Sequence, residues 1–423
     1  MSAQSMASPS PSVLDRVRHI GYWQRCQRTY LPSDYTSNDS SRLTLAYFIM
    51  AALDLLSAPP LMAKDRASLR AWVLSLQHPD GGFCGSATHA LSGQEAAKGS
   101  ANLAATLFAL LLLASAAESD EEATAAFVGV ERRKLLRWLR RLQRPDGSFG
   151  QVLWNGEPMG GCDTRHSYLA SCIRWMLLGQ GACEEDVDVD ALIGHIRRGQ
   201  TYDGGLAETS KHESHAGYAF CGIAALKMLD RPLSLSSSSS SQHGRKNTID
   251  RGVTDRLALI DFLVRRQFRY LAREEELCAT SEHENFIEPP LGSSDECSHV
   301  GFNGRWNKKA DTCYCWWVAG TLEMLDSRAL VNDTPTRHYL LDITQHRIGG
   351  FSKSTGGPPD LFHSYLGLAA LSLLGEPGLK EMDVGLCCSQ DLSRKVELAR
   401  EGLLKVGGGE SLFDGDGFWE SVG

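Results

Sequence analysis

The stretch Gln77-His-Pro-Asp-Gly-Gly-Phe83 decides the reading of this chain, because close copies return at Gln143–Phe149 (QRPDGSF), Gln200–Leu206 (QTYDGGL) and Gln345–Phe351 (QHRIGGF). Gln267, with Gly301-Phe302 further on, reads as an interrupted fifth copy. A period of roughly 55 to 80 residues accommodates two helices and two loops per unit. The Asp-Gly and Gly-Gly pairs stop a helix and allow positive φ in the turn that follows.

Working outward, each copy is preceded by a segment with apolar residues at helical spacing and charges between them: RASLRAWVLSLQ, RRKLLRWLRRLQ, DALIGHIRRGQ, DRLALIDFLVRRQ and RHYLLDITQ. Each is followed by a segment apolar nearly all round: NLAATLFALLLL, SYLASCIRWMLLG, HAGYAFCGIAALKML, TCYCWWVAGTLEML and HSYLGLAALSLLG. The first kind predicts outer helices and the second inner helices buried on every side. The alternation predicts an all-α protein of two concentric helical layers. An open solenoid and a closed α/α toroid both satisfy it, and closure is favoured because no polar capping repeats can be identified.

These boundaries place a toroid domain at 13–404. Surface insertions are expected near 232–248, around the serine tract Ser234–Ser241, and near 272–299, around the acidic stretch Arg273–Ser298. Residues 1–12 and a tail at 405–423, which contains Trp419, are expected to be disordered.

Composition narrows the function. With 423 residues and 42% hydrophobic content the chain can bury a sizeable core, and its formal net charge of −8 argues against a sequence-independent nucleic-acid binder. Twelve cysteines without paired spacing, and no charged-then-apolar leader, point to reduced thiols and a cytoplasmic location. The longest apolar run, Leu103 to Ala114, falls short of the roughly 20 residues that span a bilayer, so no transmembrane segment is expected.

The polar residues that could carry chemistry lie just before or at the start of the inner segments: Asp163 and Arg165; His212 and His215; Arg305, Lys308, Asp311 and Cys313; Asp360 and His363. In a closed array these positions share one rim, where helix N-termini favour an anion. Asp311-x-Cys313 with His363 offers a carboxylate, a thiolate and an imidazole, the three-ligand set of a catalytic zinc with an open fourth position. The competing reading is a core cysteine and a solvated basic loop. A zinc ion so held would take a substrate thiol as thiolate, and Arg305, Lys308 and His215 would offset charge on a leaving group. Aromatics on the inner segments, Phe108, Tyr168, Trp175, Tyr218, Phe220, Tyr314, Trp316, Trp317 and Tyr365, would line an apolar funnel or fill core.

From His19 to Leu374 the sequence resembles the β subunits of protein prenyltransferases. RWNKKADTCYCWW is similar to that family's zinc and diphosphate segment, GGFSKSTGGPPDLFHSYLG to its histidine-ligand segment, and TYDGGLAETSKHESHAGYAFCGIAAL to its lipid-phosphate segment. The resemblance implies an α/α toroid with Asp311, Cys313 and His363 as zinc ligands. It implies a diphosphate pocket of His215, Arg305, Lys308 and Tyr314, with Arg165 near the lipid and peptide tails. The implied reaction is attack of a zinc-bound cysteine thiolate of a C-terminal CaaX motif on C1 of a prenyl diphosphate, with pyrophosphate leaving. An α subunit completes the family's enzymes, so an obligate heterodimer is implied, acting on CaaX proteins such as Rho-type small GTPases.

Within the family, the opening RHIGYWQRCQRTYLPSDYTSNDSSRLTLAYF resembles type I geranylgeranyl-transferring members. Thr44 and Phe48 stand where farnesyl-transferring members carry tryptophans, and the smaller Thr44 implies room for a C20 chain. Lys353 stands where those members carry an aspartate that helps hold magnesium, which implies that Mg²⁺ is not required. Phe362 stands where they carry a tyrosine and mammalian-like type I members a leucine, so it does not discriminate. The alternatives are a farnesyltransferase β subunit, the relative acting on Rab proteins, a triterpene cyclase, against which the absence of an Asp-x-Asp-Asp run argues, and a non-catalytic peptide-binding scaffold.

Overall fold

The computed structural model describes residues 13–91, 93–95, 98–179, 183–233, 247–268 and 299–407. Residues 1–12, the serine tract, the acidic stretch and Trp419 lie outside them. Outer helix α1 (Arg16–Arg28) precedes inner helix α2 (Arg42–Leu55), and outer α3 (Ala63–Ser75) precedes inner α4 (Leu103–Ser115). After the short α5 (Asp120–Thr124) come outer α6 (Arg132–Leu142) and inner α7 (Thr164–Leu177), then outer α8 (Val189–Arg198) and inner α9 (Ala216–Asp230). Short α10 (Thr248–Gly252) leads to outer α11 (Arg256–Val264) and inner α12 (Thr312–Met324). Outer α13 (Asp333–His338), continued by a π-helical turn at Tyr339–Thr344, leads to inner α14 (Leu361–Leu373), and α15 (Gln390–Gly407) ends the described chain.

The inner helices close on themselves: α2 packs on α4, α4 on α7, α7 on α9, α9 on α12, α12 on α14 and α14 on α2. The alternation in sequence is the cause. On α6, Leu135, Leu136, Trp138, Leu139 and Leu142 are buried while the arginines between them face outward, whereas α4 is buried almost throughout. Asn102, Asp163, His215, Asp311 and Asp360 each cap an inner helix by accepting a backbone N–H, and all of these N-termini face one rim.

The recurrent turn joins the outer layer. In every copy the glutamine bridges the residue six positions on, or Phe302 in the interrupted copy, as Gln77 with Phe83, Gln143 with Phe149, Gln200 with Leu206, Gln267 with Phe302 and Gln345 with Phe351. Its side-chain amide then reaches the start of the next outer helix. Gln143 Nε2 donates to the Asp188 carbonyl at 2.8 Å while Asp188 N–H donates back to Oε1 at 2.7 Å. Gln77 does the same with Gly129 and Glu131, Gln200 with Asp255, and Gln267 with Asn332. Gln345 closes the ring on the chain's first helix, through Val13 O at 3.2 Å and Asp15 N at 3.0 Å. Gly147, at φ +85°, shows why the turn needs glycine: a Cβ there would sit 1.9 Å from the Ala191 carbonyl oxygen of the neighbouring outer helix.

Short strands decorate both ends. β1 (Phe83–Cys84), β2 (Lys98–Asn102), β3 (Val152–Trp154) and β4 (Glu157–Met159) pair antiparallel in that order near the rim. At the opposite end, β5 (Met382–Asp383) and β6 (Cys388–Ser389) form a two-stranded pair, and α15 crosses the ends of α4 and α7. The sequence reading did not identify α15, and its tail boundary at 405 falls inside that helix, which runs to Gly407. Likewise Thr248, assigned to an insertion, begins α10.

Of the aromatics expected to line a funnel or fill core, Trp175, Phe220, Trp316 and Tyr365 are fully buried and fill core. Trp175 belongs to the floor, with the Arg231 guanidinium 4.2 Å and that of Arg400 4.6 Å from its ring centroid. Trp316 is wholly buried against Phe220.

The Gln345→Ala variant removes the hydrogen bonds of this side chain to Val13 O, Asp15 N and His19, which close the outer layer, and leaves half-buried groups at the start of α1 without that partner. It is expected to lower unfolding stability by about 1–3 kcal/mol, measured by chemical denaturation. A loss no greater than that of an exposed glutamine control would contradict this role.

Candidate functional site

Asp311, Cys313 and His363 come together at the rim, on the starts of adjacent helices α12 and α14, with their ligand atoms all within 4.8 Å of one another. Asp311 accepts the Cys313 N–H at 2.8 Å through Oδ1, which also lies 3.3 Å from His363 Nε2. The capping role aims the carboxylate at the helix start, and the cysteine two residues on faces the same space. His363 Nδ1 meets Asp360 Oδ2 at 2.6 Å, so Nε2 is the nitrogen left facing Asp311 and Cys313.

The electrostatics of this cluster are those of a cation site filled by a proton. Burial would raise the Asp311 carboxyl, but His363 and the Cys313 N–H hold it below its usual range. Burial would lower the His363 imidazole, yet Asp311 and Asp360 outweigh it and raise it to about 9. Burial and the Asp311 charge push the Cys313 thiol well above its ordinary value. A divalent cation reverses that bias for the thiol and replaces the imidazole proton. One carboxylate, one thiolate and one imidazole with a carboxylate behind it is the donor set that fits zinc at three tetrahedral vertices.

Beside the cluster, on the α9 side of α12, His215 and Tyr314 form the second half of the site. His215 Nδ1 accepts the Gly217 N–H at 3.0 Å, so Nε2 carries the proton and donates to Tyr314 Oη at 2.8 Å. Burial and the neighbouring Arg305 charge lower His215 to about 4, which keeps the imidazole neutral near pH 7. Tyr314 Oη then has its own O–H to donate elsewhere. Arg305 pairs with Glu213, and Lys308 is exposed on the same loop. Buried Asn303 shapes that loop, its Nδ2 donating to the carbonyls of Arg305 at 2.7 Å and Lys308 at 3.1 Å. Gly304 lets the loop lie on Tyr314, where a Cβ would come within 2.3 Å of the ring.

The remaining candidates surround this centre. Lys353 Nζ is 3.9 Å from Asp311 Oδ2. Arg165 is held by Asp163, with Nε 2.8 Å from Oδ2, and its Cζ lies 5.6 Å from the Tyr218 ring centroid. Thr44 is half-buried on α2, one turn before Phe48, whose ring centroid lies 5.3 Å from Tyr365, 5.8 Å from Phe108 and 5.9 Å from Phe362. Phe362 remains 39% exposed although its helix belongs to the inner ring. Sequence reasoning gave no role to two residues. Asp360 had been noted only for its place on the rim, three residues before His363. Asn303, signalled by an Asn-Gly pair before Arg305, went unnoticed.

The sequence profile of the prenyltransferase alpha-alpha toroid domain matches residues 14–388. The chain is 30% identical over 392 residues to the geranylgeranyl transferase type-1 subunit beta of Arabidopsis thaliana, covering 89% of each chain. It is 26% identical over 395 residues to the protein of that name from Dictyostelium discoideum, covering 88% of this chain and 94% of the other. Among solved structures it superposes with a TM-score of 0.73 and 26% identity on Candida albicans protein geranylgeranyltransferase-I complexed with GGPP, covering 91% of this chain and 99% of that one.

Asp360→Asn keeps a hydrogen-bonding group beside His363 Nδ1 but removes the carboxylate charge. Zinc affinity, measured by competition with a chromophoric chelator, is expected to fall by about 10- to 100-fold. Unchanged affinity would mean that Asp360 serves only as a helix cap.

Proposed function

Because the chain belongs to the prenyltransferase alpha-alpha toroid family, we propose that it is the catalytic β subunit of a heterodimeric protein geranylgeranyltransferase type I. The reaction is transfer of a C20 group from its diphosphate to the cysteine of a CaaX-ending protein. The observation that carries this reading is the Asp311, Cys313 and His363 donor set standing next to the His215–Tyr314 pair on the adjoining face of α12. A thiol site and an anion site share one helix start.

Asp311, Cys313 and His363 would hold the zinc ion, and what zinc supplies when bound is Lewis acidity that keeps a substrate thiol ionised near neutral pH. The chain's own residues do the rest. His215 orients Tyr314 so that the phenol O–H donates to the departing diphosphate, and Arg305 and Lys308 offset its developing negative charge. Arg165 and the Phe48, Phe108, Phe362 and Tyr365 rings border the lipid. Thr44, half-buried one turn before Phe48 on α2, supports the C20 chain. The C15 alternative is favoured by one observation, the aromatic contact of Phe48 with Phe362 across the ring interior.

The α subunit is part of this proposal, and CaaX proteins such as Rho-type GTPases are its proposed substrates. No described helix is long and apolar enough to cross a membrane, and every described cysteine is a free thiol. We place the enzyme in the cytoplasm on this reading.

The test is prenyl transfer by the recombinant heterodimer, comparing C15 and C20 diphosphates on peptides ending in Leu or Ser. Fastest transfer of C20 to the Leu-ending peptide is expected, and preference for C15 on the Ser-ending peptide would overturn the assignment. The Lys353 ammonium, 3.9 Å from Asp311 Oδ2 at the metal cluster, brings a positive charge to the rim that should make magnesium unnecessary. Rates with and without millimolar Mg²⁺ are expected to agree within about twofold, and a strong stimulation would refute that role for Lys353.

A further inference from the structure

Arg266, two residues beyond α11, is 0% exposed, and neither Nη1 nor Nη2 meets a hydrogen-bond acceptor among the described residues. Its Nε donates to the Phe262 carbonyl at 3.1 Å. An ionised group taken out of water without a counterion is costly, and an apolar side chain of similar length would fill the same space without that cost. Packing alone therefore does not call for arginine here.

What surrounds the guanidinium is the diphosphate half of the site. Its Cζ lies 3.9 Å from the centroid of Trp306, the residue between Arg305 and the Asn307 turn, and 4.7 Å from that of Phe262. The Arg266 carbonyl accepts the Asn303 N–H at 2.9 Å, and Asn303 in turn ties down the carbonyls of Arg305 and Lys308. On the other side stands Asp203, the carboxylate whose field acts most strongly on Arg266. Asp203 is already engaged by the hydroxyls of Thr201 and Ser214 and by the Gly205 N–H, and Ser214 directly precedes His215. Arg266 thus stands at the junction between the segment that presents His215 and the loop that presents Arg305 and Lys308.

We infer that Arg266 is a positioning residue for the prenyl diphosphate: its planar guanidinium supports Trp306 and so fixes the Asn303–Lys308 loop, and its charge, which no carboxylate meets by a hydrogen bond, favours an anion above that loop. The inference rests on the diphosphate reading of the site. It does not touch the metal cluster or the lipid-lining rings, so its effect is confined to the phosphate end of the substrate.

Arg266→Met in the heterodimer is expected to raise KM for the C20 diphosphate about tenfold while kcat, the peptide KM and the thermal midpoint stay near wild type. Competitive inhibition by the C20 alcohol, which has no phosphate, should not change. Arg266→Lys keeps the charge but not the plane and is expected to rescue little. Trp306→Ala, at a half-exposed position that tolerates truncation, should reproduce the KM effect, and the double variant should be no worse than the larger single one.

A wild-type diphosphate KM in both Arg266→Met and Trp306→Ala overturns the inference. So does a parallel loss of diphosphate and peptide affinity with a lower midpoint, which would mark a structural role. If the unmodified heterodimer transfers no prenyl group at all, the functional reading has failed instead, and the two failures are told apart by that control.

Discussion

The toroid depends on one small interaction repeated five times, the side-chain amide of a glutamine laid across the backbone at the start of the next outer helix. An amide has one donor face and one acceptor face, so it can pair with a backbone C=O and N–H at once, as a neighbouring β-strand would. The first turn of a helix is where such groups lack intrahelical partners. Each glutamine therefore satisfies part of its neighbour's N-terminus while fixing the distance between consecutive outer helices. With the last copy reaching Val13 and Asp15, the same chemistry that spaces the ring also closes it. His19 reinforces the closure, its Nε2 3.1 Å from Gln345 Oε1 and its Nδ1 accepting the Gly350 N–H at 3.2 Å.

The site follows from that spacing. A turn of fixed geometry after every outer helix delivers every inner helix to the rim with the same polarity, and the residue before each inner helix becomes a cap. Capping residues are short and polar by physical necessity. At α9, α12 and α14 the same requirement supplies His215, Asp311 and Asp360, so the residues that hold the helix starts also compose the site or support it. Chemistry here is an elaboration of helix capping, which is why residues from positions 165 to 363 can meet without any insertion built for the purpose.

This explains what could be read in the sequence. The repeat was visible because the turn requires glycine and the layers require opposite hydrophobic patterns, and both are local demands. Closure of the ring and the convergence of Asp311, Cys313 and His363 followed from equivalence between copies. The glutamine's partner was not legible, because it lies some 45 to 65 residues away for four copies and at the far end of the chain for the fifth. Helix α15 was missed for a related reason. Its charged residues look solvated, yet Arg400 is buried beside Trp175 and Glu397 pairs with Arg231, so a floor element was masked by charges that only the fold brings together. Arg266 escaped in the same way, since arginine in a sequence is presumed to reach water.

The two halves of the site are separated by the helix itself. Cys313 and Tyr314 are consecutive, and the rotation between neighbouring residues on a helix turns one toward α14 and the other toward α9. The Asp311, Cys313 and His363 cluster and the His215–Tyr314 pair are thereby held apart by the width of α12 while sharing its positive N-terminal end. On α14 the same device recurs, with His363 facing Asp311 and Cys313 and its predecessor Phe362 facing Phe48 and Trp317. Any change that rotates the start of α14 to move the Phe362 ring must also displace Nε2 of His363. On the proposed function, selectivity for the lipid is consequently easier to alter at Thr44 on α2, outside the Asp311, Cys313 and His363 cluster, than from α14, which carries His363.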